Sequence, residues 1–205
     1  MSSVSIIGLG NMASALADRA LAGGNAVEII GRDPAKAKEV VAALGGATVG
    51  TFGTAPAGDI VILAVPYASA VPVVAQYGDA LAGKVIIDIS NPITPDLNIA
   101  TPDGSSAAQE IAKAVPASAH VVKAFNTVFG HVMAPGRLLD VLFAGDDAQA
   151  KARVSAFIES LGLRPLDVGD LEMARWLEGT GLLMIGLAGH GVGSFDFSLG
   201  VSILS

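Results

Sequence analysis

Short runs of aliphatic and β-branched residues alternate along the chain with segments whose apolar positions recur at helical spacing. A run such as Ile60-Val61-Ile62-Leu63-Ala64 has no polar face. A strand there must be covered on both sides, which is the situation of a parallel sheet built from βαβ units. The pattern predicts strands at Ser3 to Ile7, Ala26 to Ile30, Ala47 to Val49, Ile60 to Ala64, Val85 to Ile89, His120 to Ala124, Val141 to Ala144 and Arg164 to Val168. Helices are predicted at Met12 to Ala22, Pro34 to Leu44, Ser69 to Tyr77, Ala107 to Ala114 and Ala148 to Leu161. A last helical stretch runs from near Leu171 toward Gly189, and the glycine-rich tail after it has neither rhythm.

Local chemistry supports these boundaries. Asp33 before Pro34 reads as an N-cap followed by proline at the first helical position, and Gly45-Gly46 supplies the left-handed residue that closes the same helix. The segment from Asn91 to Ser106 holds Pro92, Pro95 and Pro102, lacks periodicity and follows a strand. Loops at the carboxyl ends of parallel strands are where doubly wound sheets bind ligands, so it is a candidate wall of the site. The expected fold is α/β, a doubly wound, mostly parallel sheet over residues 1–168, with residues 169–205 as a small C-terminal helical cap that is no independent domain.

Composition narrows the chemistry. The 205 residues carry 12 Lys and Arg against 19 Asp and Glu, a net charge of −7, which argues against nucleic acid and anionic membrane surfaces as partners. With no cysteine there is neither disulfide nor thiolate chemistry. The start, Met1-Ser2-Ser3-Val4-Ser5, has no basic region ahead of an apolar run, so the expectation is a cytoplasmic protein. The uncharged windows Ile60 to Gly78 and Gly179 to Phe195 are broken by prolines or glycines and read as buried strand and helix rather than membrane spans.

The strongest motif is Gly8-Leu9-Gly10-Asn11-Met12-Ala13, of the form G-x-G-x-x-A, directly after the first strand. Gly8 permits the tight turn, Gly10 lets the backbone approach a pyrophosphate and Ala13 allows close helix–strand packing, the features of a Rossmann-like dinucleotide site. In an NAD site an acid at the end of the second strand binds the ribose 2′-OH, but Ala26-Val27-Glu28-Ile29-Ile30 ends in Gly31-Arg32. Arg32 can make a charge-assisted contact to a 2′-phosphate and Lys36 adds a second cation, so NADP(H) is preferred over NAD. Asp33 is assigned to helix capping, and Glu28, inside the strand, has no ribose role.

Later strand ends supply the remaining candidates. Val65 and Pro66 are placed to pack against ribose or ring, and Tyr67 is a candidate to stack; Ser90 and Asn91 offer polar contacts. In Lys123-Ala124-Phe125-Asn126-Thr127, the amide of Asn126 and the hydroxyl of Thr127 are candidates to hold the nicotinamide carboxamide or an acceptor ring. Lys123 reads equally well as a buried ion-pair partner. No acid/base constellation and no metal ligand set emerges: His120, His131 and His190 lie apart, and Ser105-Ser106 lacks a nucleophile-elbow context. Hydride exchange between two redox coenzymes needs mainly orientation and exclusion of solvent, and tolerates that silence.

Taken together, Gly8 to Met12, Gly31-Arg32 with Lys36, Val65-Pro66-Tyr67, Ser106 to Glu110, Lys123 to Thr127 and Gly162 to Gly169 resemble the NADP oxidoreductases dependent on coenzyme F420, in the same order over nearly the whole chain. The resemblance implies a homodimer that moves hydride between NADPH and a deazaflavin. It assigns Leu9, Gly10, Asn11 and Met12 to the pyrophosphate, Gly31, Arg32 and Lys36 to the 2′-phosphate, and Tyr67, Val71 and Gly130 to the rest of NADP. Asn126 stands where the archaeal enzymes have a histidine. The Lys123 to Thr127 form also resembles the cytosolic domain of the STEAP metalloreductases, which passes electrons from NADPH to flavin. A flavin, or a small imine or carbonyl compound, is therefore the alternative acceptor, and an NADP-sensing domain the non-enzymatic alternative.

Overall fold

The computed structural model describes residues 1–102, 104–133 and 136–204. Among them the chain forms β1 (Ser3–Ile7), α1 (Asn11–Ala22), β2 (Ala26–Gly31), α2 (Pro34–Leu44), β3 (Thr48–Thr51), β4 (Ile60–Leu63) and α3 (Tyr67–Tyr77). There follow β5 (Val85–Asp88), α4 (Ala107–Ala114), β6 (His120–Ala124), β7 (Asp140–Gly145), α5 (Ala148–Ser160), β8 (Arg164–Asp167) and α6 (Ala174–Gly189). Short 3₁₀ turns occupy Gly78–Leu81, Gly130–Met133 and Leu171–Met173.

The sheet order is β3-β2-β1-β4-β5-β6-β7-β8. All neighbours run parallel except β6 and β7, which are antiparallel, so the sheet is mostly parallel and Rossmann-like as expected. The chain reverses its winding between β1 and β4, and the crevice at their carboxyl ends is where such sheets bind ligands.

The apolar runs are explained by what covers each face. Neighbouring residues along a strand point to opposite sides. Ile6 and Ile62 pack with Ala13, Leu16, Ala17 and Ala20 of α1 and Val154, Phe157 and Ile158 of α5. Ile7 and Leu63 pack with Ala70, Val73 and Val74 of α3, Ile111 of α4 and Ala174 of α6. Arg19 is buried within the first layer, where its guanidinium donates to the carbonyls of Met133, Leu161 and Arg137 and ties α1 to the turn before β7 and to the end of α5.

The helix signals act as read. Asp33 accepts hydrogen bonds from the Ala35 and Lys36 N–H groups at 2.9 and 3.2 Å, and Gly45 ends α2 with φ +64°. Ser106 caps α4 through the Gln109 N–H, while Ser105 donates to Glu110, which gives both serines structural partners. Most boundaries fall within one residue of the expectation and three differ by more; β3 runs on to Thr51 rather than ending at Val49. α3 begins at Tyr67 rather than Ser69, because Pro66 takes the N-cap position in extended conformation, and α6 proper begins at Ala174 after a 3₁₀ turn. The tail after Gly189 has no regular structure but is tied down, with Asp140 accepting from the Val201 N–H and Arg164 donating to the Val201 carbonyl.

Candidate functional site

The turn after β1 is shaped by a backbone contact. Gly8 has φ +143°, and a Cβ there would sit 2.1 Å from the Ala64 carbonyl oxygen at the end of β4. Its N–H donates to the Ile30 carbonyl, so the first glycine locks the turn onto both flanking strands. Gly10 differs: it is the N-cap of α1 without a side-chain cap, and a Cβ there would meet nothing within 4 Å. The start of a 12-residue helix is thus open on the Gly10 side, which suits a pyrophosphate. This is the test the residues pass for a dinucleotide: a cradle that a side chain would fill, at the positive end of a helix dipole.

Beside it lies a cavity of about 260 Å³ lined by Gly8, Leu9, Gly31, Arg32, Asp33, Lys36, Val65 and Pro66, with Ile7, Ile30, Phe52, Ser69 and Val73 completing the wall. The Arg32 guanidinium lies 5.6 Å from the Phe52 ring centroid, a cation–π contact that leaves its other face free for an anion. Of the two nearby carboxylates, Asp33 caps α2 through its Oδ1, and Glu28 accepts from the Ser5 hydroxyl at 2.5 Å and the Ala57 N–H at 2.9 Å. Gly31 is buried, and a Cβ there would collide with the Leu9 side chain, which explains why β2 ends in glycine.

A second, larger cavity of about 610 Å³ opens between the carboxyl ends of β5 and β6 and α6. Met12, Asn91, Asn126 and Gly130 line it, together with Ile93, Thr94, Pro95 and Leu97 of the proline-containing loop, Phe125, Phe129 and, from α6, Gly181, Met184 and Ile185. None of its lining residues carries charge. Its floor is a pair of amides: Asn126 donates to Asn91 Oδ1 at 2.9 Å and to the Leu177 carbonyl at 2.8 Å, and Asn91 donates back to the Asn126 carbonyl at 2.8 Å. Gly181 makes room for this, since a Cβ on it would lie 2.6 Å from Asn91 Oδ1. Phe125, just after β6, holds φ +62°, which turns the chain sharply under the cavity.

The residues named from sequence therefore divide between two cavities, and Gly10 and Asn11 follow Leu9 of one and precede Met12 of the other. Three line neither. Val71 packs into the core beneath α3, Tyr67 opens that helix half-buried near Glu110 and Glu178, and Thr127 is buried with an unpartnered hydroxyl. The amide donors of Asn126 are committed inward, leaving its Oδ1 buried and unpartnered among the described residues.

Sequence reasoning missed three participants. Phe52 follows β3 with no local signal. Asp88 and Glu178 close on Lys123, whose Nζ donates to them at 2.7 and 2.8 Å and to the Ser90 carbonyl at 2.5 Å, all fully buried. Burial pushes the Glu178 carboxyl up from the ordinary glutamate range, with Lys123 and the Ala107 N–H pulling it back.

Comparison with known proteins agrees with this geometry. Residues 3–92 match the family described as NADP oxidoreductase, coenzyme F420-dependent. The metalloreductase STEAP3 of Rattus norvegicus is 31% identical over 185 residues, covering 89% of this chain and 37% of that protein. The F420-dependent NADP reductase of Methanocaldococcus jannaschii is 33% identical over 140 residues, covering 63% of this chain and 62% of its own. The chain thus spans less than two thirds of the length of either curated relative. A solved structure from Arthrobacter sp. FB24, provisionally named an F420-dependent NADP-reductase, superposes with a TM-score of 0.88 at 26% identity over 99% of this chain and 100% of the other. The segment that carries the glycine turn and Arg32 is thus similar to the coenzyme F420-dependent NADP oxidoreductases, and the likeness of fold extends over the whole chain.

Proposed function

We propose that the chain is an NADPH-binding oxidoreductase that exchanges hydride between NADP(H) and a deazaflavin of the F420 type. The observation that carries the cofactor assignment is the smaller cavity, where Arg32 after β2 and Lys36 in the first turn of α2 stand together while Asp33 caps α2 and Glu28 is engaged by Ser5 and Ala57. In this reading Arg32 and Lys36 hold the 2′-phosphate, the α1 N-terminus beside Gly10 holds the pyrophosphate, and the nicotinamide end reaches the larger cavity past Met12. NADPH, when bound, supplies the hydride; Asn91, Asn126 and the apolar wall orient the ring partners and keep water out.

The uncharged lining of the larger cavity favours a second reading of the acceptor. A small imine needs no cation there, whereas the anionic tail of a deazaflavin, like the phosphates of FMN or FAD, has to find its contacts outside. The chain is also read as a cytoplasmic homodimer, and Trp176 and Leu183 on α6, each 59% exposed, support the dimer. No helix among the described residues is long and apolar enough to cross a membrane.

Anaerobic mixing of the protein and NADPH with F420, FMN or FAD in turn, each followed by its own absorbance, tests the assignment. Bleaching of F420 well ahead of the flavins is the expected result. Bleaching of a flavin alone moves the assignment to the second reading, and tight NADPH binding with no acceptor reduced marks a sensing domain instead.

A further inference from the structure

Behind the larger cavity lies a sealed group of charges that the nucleotide contacts do not use. Lys123 on β6 faces Asp88 on β5 and Glu178 on α6, one cation against two carboxylates. All three side chains are at most 1% exposed. With both carboxylates ionised the group carries one formal negative charge, and with Glu178 protonated it carries none. Burial and the neighbouring Asp88 favour the protonated form of Glu178, while Lys123 and the Ala107 N–H at the start of α4 favour the ionised one. Tyr67 of α3 feels Glu178 together with Glu110 of α4. Among the described residues no charged group of β7 or of the Leu171–Met173 turn acts on Glu178.

This charge is joined to the cavity floor by two short backbone links. Ser90, whose carbonyl accepts from Lys123, precedes Asn91; Leu177, whose carbonyl accepts from Asn126, precedes Glu178. The oxidised nicotinamide ring is a cation and the reduced ring is neutral, so a charge in this place distinguishes the two forms. We propose that Glu178 is a specificity-determining residue for the redox state of the cofactor: its carboxylate favours NADP⁺ over NADPH, and the preference strengthens as Glu178 loses its proton. The inference rests on the larger cavity being the nicotinamide end of the site.

Dissociation constants for NADP⁺ by calorimetry and for NADPH by its fluorescence, measured from about pH 5 to about pH 9 with the full chain, test it. Both cofactors carry the same 2′-phosphate, so its titration cancels in their ratio. The wild type should gain preference for NADP⁺ on the order of tenfold as pH rises, the effect of one unit charge across a side-chain layer at an effective dielectric of ~20. Glu178→Gln should show a ratio independent of pH. A flat ratio in the wild type, or the same slope in Glu178→Gln, overturns the proposal; if the variant does not fold, the wild-type slope alone decides. Failure of both cofactors to bind, or binding indifferent to Arg32, would instead strike the site assignment itself.

Discussion

Gly8 and the Ala64 carbonyl approach so closely that a Cβ on the glycine would lie 2.1 Å from the oxygen, whereas two residues on a Cβ at Gly10 would touch nothing. The two glycines of one motif therefore serve different masters, the fold and the ligand. Gly8→Ala should destabilise the protein by about 3 kcal/mol, since overpacking against backbone adds to conformational strain at φ +143°. For a chain of this size that is a fall in Tm of roughly 6–12 °C. Gly10→Ala should leave Tm unchanged within a degree or two and weaken NADPH binding. Thermal unfolding alongside a binding titration separates the two; a Gly10→Ala protein that binds normally contradicts the pyrophosphate assignment.

Lys123 is the only cation between Asp88 and Glu178 among the described residues. Removing it leaves two carboxylates sealed together, a change that costs about 3–5 kcal/mol. Lys123→Met should lower the denaturant midpoint accordingly, and adding Asp88→Asn and Glu178→Gln should recover most of the loss. Absence of recovery would mean that the lysine acts through packing rather than charge.

Asp140 fastens the tail. Its carboxylate accepts from Arg164 at 2.6 and 2.5 Å and from the Val201 N–H at 2.7 Å, and the hydrogen bonds from Arg164, ahead of that from Val201, hold its pKa below the ordinary aspartate value. A depressed pKa means that this contribution is present above the unfolded value near 3.8 and is lost as pH falls through the folded one. Limited proteolysis of the tail should accelerate below about pH 4 in the wild type. In Asp140→Asn it should already be fast at neutral pH and change little on acidification.

How much of this was legible in the sequence follows from where each signal resides. The strands were readable because Ile6, Ile7, Ile62 and Leu63 serve two covered faces, and the α2 cap because Asp33 and Pro34 act within one turn. The cationic end of β2 was readable for the same local reason. The Lys123 cluster was only half visible, because its partners lie 35 and 55 residues away and nothing near Asp88 or Glu178 announces the pairing. Phe52 beneath Arg32 was invisible, since the contact exists only once β3 lies beside β2. Thr127 lines neither cavity, and the positive φ of Phe125 that turns the chain after β6 is one no spacing rule foretells.

Arg32 and Lys36 are proposed to grip the phosphate that distinguishes NADPH from NADH. Dissociation constants of both cofactors for the wild type and for Arg32→Ala provide the direct test. The substitution should weaken NADPH by about 1.5–3 kcal/mol, roughly ten- to a hundredfold, and leave NADH nearly unchanged. Equal losses for both cofactors would contradict it.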